Sequence, residues 1–164
     1  MMRRRLLPGL AVLLIVIAGM VTTIALRTPS ELIDGVIWQP TNDYPAPRGR
    51  WHWIGADTLL VQWSLNDGLA WIPTPAFDAQ PTLPDWAALR QAPWAQQLIL
   101  GLASRMKLEA ARRDWAQLAD QGERLLDTLD APLQVDGWYA PVEFSPDWTR
   151  HDVYASYLDH LPTP

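Results

Sequence analysis

The chain has 164 residues, a formal net charge of −5, ten tryptophans and no cysteine. Without cysteine there is no disulfide framework, no thiolate metal site and no thiol for lipid attachment. An acidic chain without a basic patch does not suit the phosphate backbone of nucleic acid, so no nucleic-acid partner is expected.

Arg3, Arg4 and Arg5 precede an uncharged stretch from Leu6 to Leu26, closed by Arg27. Those 21 residues are long enough to cross a bilayer as a helix, which takes about 20. Residues 1–27 therefore read as a signal anchor, or as a signal peptide if cleavage follows Ala18 or Ala25. In either case the basic triplet stays in the cytoplasm and the remainder is exported. The expected place is the bacterial inner membrane with a periplasmic domain, or the periplasm itself if the leader is removed. An exported domain without disulfides needs a real hydrophobic core, and residues 28–164 are enough for one domain.

Past a short linker, Gly35–Trp38 is rich in β-formers and bounded by Pro40, which predicts a strand. Asn42–Arg50 holds Pro45, Pro47 and Gly49 and reads as loop, with one helical turn over Trp51–Ala56. Thr58–Trp63 predicts a second strand. Ser64–Leu83 reads as a long loop, and loops of that length are often functional. Pro84–Gln91 predicts a short helix with Pro and Asp near its start. Gln97–Leu102 is a continuous apolar run, the pattern of a strand buried on both faces.

The spacing of Leu108, Ala111, Trp115, Leu118, Gly122, Leu125 and Leu129 predicts one helix over 108–129, with a single buried stripe. Pro132 ends that region. Val135–Val142 predicts a fourth strand. Asp147 then reads as the N-cap of a last helix carrying Tyr154, Tyr157, Leu158 and Leu161 on one stripe. Strands alternating with helices imply an α/β domain with a parallel sheet.

Four of these segments resemble a known group. Gly35-Val-Ile-Trp-Gln-Pro40, Leu60-Val-Gln-Trp-Ser64, Leu100-Gly-Leu102 and Gly137-Trp-Tyr-Ala-Pro-Val-Glu143 resemble a bacterial family of unknown function within the glycoside-hydrolase-like TIM-barrel superfamily. The resemblance spans residues 33–161. It implies a (β/α) barrel and glycan chemistry. A full barrel takes roughly 250 residues, so the four units read here amount to a partial barrel of about four parallel strands. The expectation is a shortened barrel, or a half barrel completed as a homodimer or by another partner.

Parallel sheets place their chemistry at the carboxyl ends of their strands. Glu143, just past the fourth strand, is the catalytic candidate: the resemblance implies a general acid/base there, although Val142 stands where the relatives usually carry Asn. Glycoside hydrolysis normally takes two carboxylates, and Asp43 or Asp67 could supply the second from the same rim. Trp38, Gln39, Asn42, Gln62, Trp63, Ser64, Asn66, Asp67 and Tyr139 form the candidate ligand-binding set. Amides and carboxylates beside aromatic planes are what hydroxyl-rich ligands such as oligosaccharides and polysaccharides need.

The tryptophans have two readings, core and interface anchors or a platform for sugar rings. His52, His151 and His160 show no metal-ligand spacing, and the chain has no Gly-rich phosphate loop. No metal and no cofactor are expected. The function expected is binding or hydrolysis of a cell-envelope or exopolysaccharide glycan. The alternative is a non-catalytic accessory of an inner-membrane or polysaccharide assembly.

Overall fold

The computed structural model describes residues 33–129, 134–142, 151–159 and 161. The leader at 1–27, Pro132, Glu143, Asp147 and His160 lie outside them. Among the described residues, no helix is long and apolar enough to cross a membrane.

Strands β1 (Gly35–Trp38), β2 (Thr58–Val61), β5 (Gln97–Gly101) and β7 (Gly137–Tyr139) form a four-stranded sheet in the order β1-β2-β5-β7. Every neighbouring pair is parallel. The register aligns Trp38, Val61, Leu100 and Trp138 in one row and Ile37, Leu60, Ile99 and Gly137 in the next. The expected parallel α/β sheet is therefore present, with strands at the expected places.

Each new strand of this sheet is added on the same side. Parallel crossovers are almost always right-handed, so a sheet that grows in one direction carries its helices on one face. The core agrees. Leu59, Val61, Leu98 and Leu100 are buried in one cluster with residues from helices α1 (Trp86–Arg90), α2 (Leu108–Arg113), α3 (Trp115–Thr128) and α4 (His151–Asp159). Trp86 and Leu89 come from α1, Ala111 from α2, Trp115, Leu118 and Leu125 from α3, and Tyr157 from α4. The opposite face is open: Ile37 is 69% exposed and Leu60 and Ile99 are only half-buried.

The long loop expected over Ser64–Leu83 contains structure of its own. β3 (Leu65–Asn66) and β4 (Leu69–Ala70) form an antiparallel hairpin, and β3 pairs in parallel with β6 (Ala103–Ser104). The turn between β3 and β4 is Asp67-Gly68, with φ of 49° and 85°. Two successive positive φ values are the signature of a type I′ turn, which Asp-Gly favours because glycine meets no steric penalty there.

From Val61 to Leu65 the β2–β3 segment takes one residue more than the paired β5–β6 segment takes from Leu100 to Ala103. That extra residue is a bulge. It ends β2 at Val61, short of the Trp63 expected from sequence. Ser64 N–H donates at the bulge to Gly101 O at 2.7 Å and to Leu102 O at 3.2 Å. A side chain on Gly101 would run into the Gln62 carbonyl, so the bulge demands glycine there.

The single helix expected over 108–129 is two. Asp114 leaves the helical region with φ −94° and ψ 13°. Its carboxylate accepts from Arg113 Nε at 2.8 Å and lies 3.7 Å from Arg105 Nε. The Arg113 hydrogen bond, against the opposing effect of burial, holds that carboxyl below the usual carboxylate range. Asp is a poor helix-interior residue because its side chain competes for local partners, and here both partners are cations. The apolar stripe runs on regardless: Ala111, Trp115, Leu118, Gly122 and Leu125 are all buried.

α1 keeps close to its expected span, capped by Asp85 Oδ1, which accepts from Ala88 N–H at 2.9 Å. The helical turn expected at Trp51–Ala56 is a 3-10 turn over Trp51–Ile54. In α4, Tyr157 is buried and Tyr154 half-buried, whereas Leu158 is 42% exposed and leaves the expected stripe.

Candidate functional site

Alternation along a strand decides which rim residues can meet a ligand. In β1, Trp38 turns into the core and Ile37 to the open face. Gln39 continues the Ile37 side, and Gln62 continues that of Leu60. Tyr139, at the end of β7, stands beside Gly101 in the register. These choices converge: Ile37, Gln39, Leu60, Gln62 and Tyr139 line one cavity of about 260 Å³ at the carboxyl ends of three strands.

The cavity has an apolar floor and a polar rim. Two carboxamides and a phenol offer both donors and acceptors. Gln62 Oε1 is buried without a hydrogen-bond partner. A buried acceptor left unmatched costs about 1–3 kcal/mol. A ligand hydroxyl would supply the missing donor.

A second cavity of about 460 Å³ adjoins the first through Ile37 and Gln39. It follows β1 from Val36 to Gln39 and is walled on the far side by the 41–51 loop, including Asp43, Tyr44, Arg48 and Trp51. This loop is pinned by Trp38 Nε1, which donates to Tyr44 O at 3.3 Å, and by Tyr44 N–H, which donates to Thr41 O at 2.9 Å. Asp43 therefore lies on the wall of the neighbouring cavity, not in the amide-rich one.

The other expected ligand residues are distributed differently. Trp38 and Trp63 are buried, and Trp63 Nε1 donates to Pro40 O at 3.2 Å. The Trp38 ring packs against Trp86, with centroids 6.2 Å apart. These two indoles therefore anchor the core and hold loop backbone. Ser64 and Asn66 are buried on either side of Leu65, and Ser64 Oγ and Asn66 Oδ1 have no hydrogen-bond partner. Asp67 is exposed at the hairpin tip, and Asn42 is exposed in its loop and lines neither cavity. Glu143 follows Val142, whose N–H donates to Ala140 O at 2.8 Å.

The apolar lining by Ile37 and Leu60 was not among the expected site residues. Its signal was available, since each stands two positions before an expected amide on the same strand face. Among the described residues, no group of His, Asp and Glu could hold a metal ion. No family model, curated protein or solved structure matches this chain.

Proposed function

We propose that this chain is an exported or membrane-anchored, glycoside-hydrolase-like protein that acts on or binds a cell-envelope or exopolysaccharide glycan, and that its sheet is part of a TIM-type barrel. One observation carries the reading. Gln39, Gln62 and Tyr139, from three strands, share one uncharged cavity at the carboxyl end of a parallel sheet. In barrels that rim is where ligands bind. Neutral amides and a phenol over an apolar floor complement a neutral ligand rich in hydroxyls. The sequential strand order, with helices on one face, supports the barrel, as does the resemblance of four strand motifs to the glycosidase-like superfamily.

On this reading Glu143, one residue past Val142, donates a proton to the glycosidic oxygen, and Asp43 is the second carboxylate of the rim. The carboxylate pair is the chemistry that glycoside hydrolysis requires. The basic triplet and the apolar stretch at residues 6–26 deliver the domain across the inner membrane.

The test uses the full chain in mild detergent and a panel of soluble envelope and exopolysaccharide oligosaccharides. Binding by calorimetry and release of reducing ends are measured together. Gln39→Ala is expected to weaken binding at least tenfold, and Glu143→Gln to abolish turnover while leaving binding in place. Wild-type protein inert towards the whole panel would overturn the glycan reading. Unchanged turnover in Glu143→Gln would remove that residue from the mechanism.

A further inference from the structure

We infer that the turn Arg50–Trp53, with Arg48 and Tyr44 on the same loop, rests on the lipid headgroups of the membrane that holds the leader, so that the domain stands on the bilayer by the amino end of its sheet. The inference rests on the reading of residues 6–26 as a membrane anchor and adds a second contact, made by the folded domain.

The first support is an exception among the tryptophans. Of the described ones Trp53 alone is exposed, at 64%. Tyr44, on the same loop, is 69% exposed. Trp and Tyr are the residues that settle at a membrane–water interface, where the ring lies among headgroups and the polar edge stays wet. The turn that presents Trp53 is fixed by its own backbone. Trp53 N–H donates to Arg50 O at 2.9 Å, and Gly55 N–H and Ala56 N–H return to His52 O and Trp51 O, both at 3.3 Å. Gly55, at φ 96°, closes the turn in the left-handed region. The Trp51 indole lies on Gly49, where a Cβ would strike the ring.

Charge selects the surface this turn meets. The chain carries −5 overall, yet residues 44–56 hold Arg48, Arg50 and His52 and no acid. All three are exposed, and neither arginine has an acidic partner among the described residues. The Arg50 guanidinium lies over the Trp53 ring, 4.6 Å from its centroid, and the His52 ring meets the indole edge-on with centroids 6.0 Å apart. A guanidinium stacked on an indole keeps its planar fork of donors free for the bidentate pairing that a phosphate offers. The acids nearest in sequence are Asp43 before the strip, Asp57 after it, and Glu31 and Asp34 in the linker. Asp57 Oδ1 accepts from Thr58 Oγ1 at 2.8 Å. These acids make the strip a weak lipid binder by itself, so the contact needs the anchor as its second signal.

Position brings the strip to the bilayer. Asp57 N–H and Thr58 N–H both donate to Asp34 O, at 3.2 and 3.3 Å, so the turn ends beside the residue that leads into β1. Only residues 28–34 separate Arg27 from Gly35, and a chain of that length spans at most about 30 Å even when fully extended. The amino end of the sheet is thereby held near the membrane, where the high local concentration of headgroups lets a weak patch bind. The cavity of Gln39, Gln62 and Tyr139 lies at the carboxyl ends of the strands, the far end of the sheet from this turn. Seating the turn on lipid points that cavity away from the bilayer.

The chain has no cysteine, so a single engineered thiol takes a label without background. His52→Cys, in the turn, and Glu109→Cys, exposed at the start of α2 beyond the carboxyl end of β6, each carry an environment-sensitive fluorophore in the full chain. Each is placed in vesicles of phosphatidylcholine and phosphatidylglycerol in equal parts. Spin-labelled lipid quenches from the membrane and iodide from the water. The expected result is lipid quenching with loss of iodide access at position 52, and the reverse at position 109. Trp53→Ser, and separately Arg48→Glu/Arg50→Glu, should each lower lipid quenching at position 52 towards the level at 109, with the circular dichroism retained. Equal lipid quenching at the two positions, or quenching at 52 that survives both sets of changes, would overturn the inference. Iodide exclusion at 52 without lipid quenching would give the turn to a protein partner and overturn it too. Flotation separates this result from the anchor reading. A chain that floats with the vesicles but keeps position 52 in water fails here alone, whereas a chain that does not float fails as an anchored protein as well.

Discussion

The hydroxyl tip of Tyr157 lies against the backbone of Gly122, and a Cβ there would run into Oη. Gly122 is the small member of the buried stripe on α3, and Tyr157 is the buried residue of α4. The glycine lets the two helices approach, and the tyrosine fills the space it leaves. Gly122→Ala adds a methyl where none fits. Overpacking typically costs 1–3 kcal/mol, and alanine returns about 1 kcal/mol of helix propensity. The net expectation is a loss of up to about 2 kcal/mol, read as a lower urea midpoint with an unchanged slope. Adding Tyr157→Phe should recover part of that loss. Additive single effects would show that the two residues are not coupled.

The same aromatic cluster sets an alkaline limit on stability. Trp115 packs on Tyr154 and Tyr157, with centroids 5.7 and 6.2 Å away. Burial, then the charges of Glu123 and Tyr154, push the Tyr157 phenol well above its ordinary range. Burial, then Tyr139, raise Tyr154 as well. The unfolded chain loses these protons near pH 10, while the folded chain keeps them. Their contribution is thus fully present below about pH 10 and is lost as pH rises towards the folded values. Urea midpoints measured from pH 8 to 11 should fall above pH 10. The decline should be shallower in Tyr157→Phe, and an equal decline in both would discount Tyr157 as its source.

Gly101 and Gly68 provide a contrast in what glycine does. Gly68 sits at φ 85° with open space around its missing side chain. Gly68→Ala should therefore cost only the backbone penalty of the left-handed region, about 1–2 kcal/mol. At Gly101 the obstacle is the Gln62 carbonyl, which cannot swing aside without breaking the bulge. Gly101→Ala should lower stability by more than about 3 kcal/mol, within the range reserved for core strain. It should also perturb the cavity lined by Gln62. Equal losses for the two variants, compared by thermal unfolding, would show that the bulge adapts.

Main-sheet strands were legible because each is an apolar run with clear punctuation, such as Pro40 after β1 and the Asp57-Thr58 entry to β2. The β3–β4 hairpin was not, because two-residue strands are too short to display alternation, although Asp67-Gly68 carried the turn signal. The break at Asp114 was invisible for a different reason. The buried stripe continues in register across it, and periodicity reports the stripe and not the backbone. At the site, Gln39, Gln62 and Tyr139 were legible from their position just past or at the strand ends. Trp38 and Trp63 have the same sequence placement and the opposite facing, so alternation sent them to the core. Ser64 and Asn66 were drawn inside by a bulge and a hairpin that no local pattern announced.

Gln62 separates stability from binding. Its Oε1 is buried without a partner, in a cavity whose other polar groups are Gln39 and Tyr139. Methionine has nearly the shape of glutamine and no polar atom that needs a donor. Gln62→Met should therefore relieve the unmatched acceptor and stabilise the free protein by about 1 kcal/mol. If the amide is kept to meet a ligand hydroxyl, the same substitution should weaken oligosaccharide binding at least tenfold. Gain of stability with loss of binding is the pattern of a residue held for function at a cost to the fold. The two measurements are a urea midpoint on the free protein and a calorimetric titration. A less stable variant would mean that the free protein satisfies this oxygen in solution. A more stable variant with unaltered binding would remove Gln62 from the ligand's contacts and leave the site to Gln39 and Tyr139.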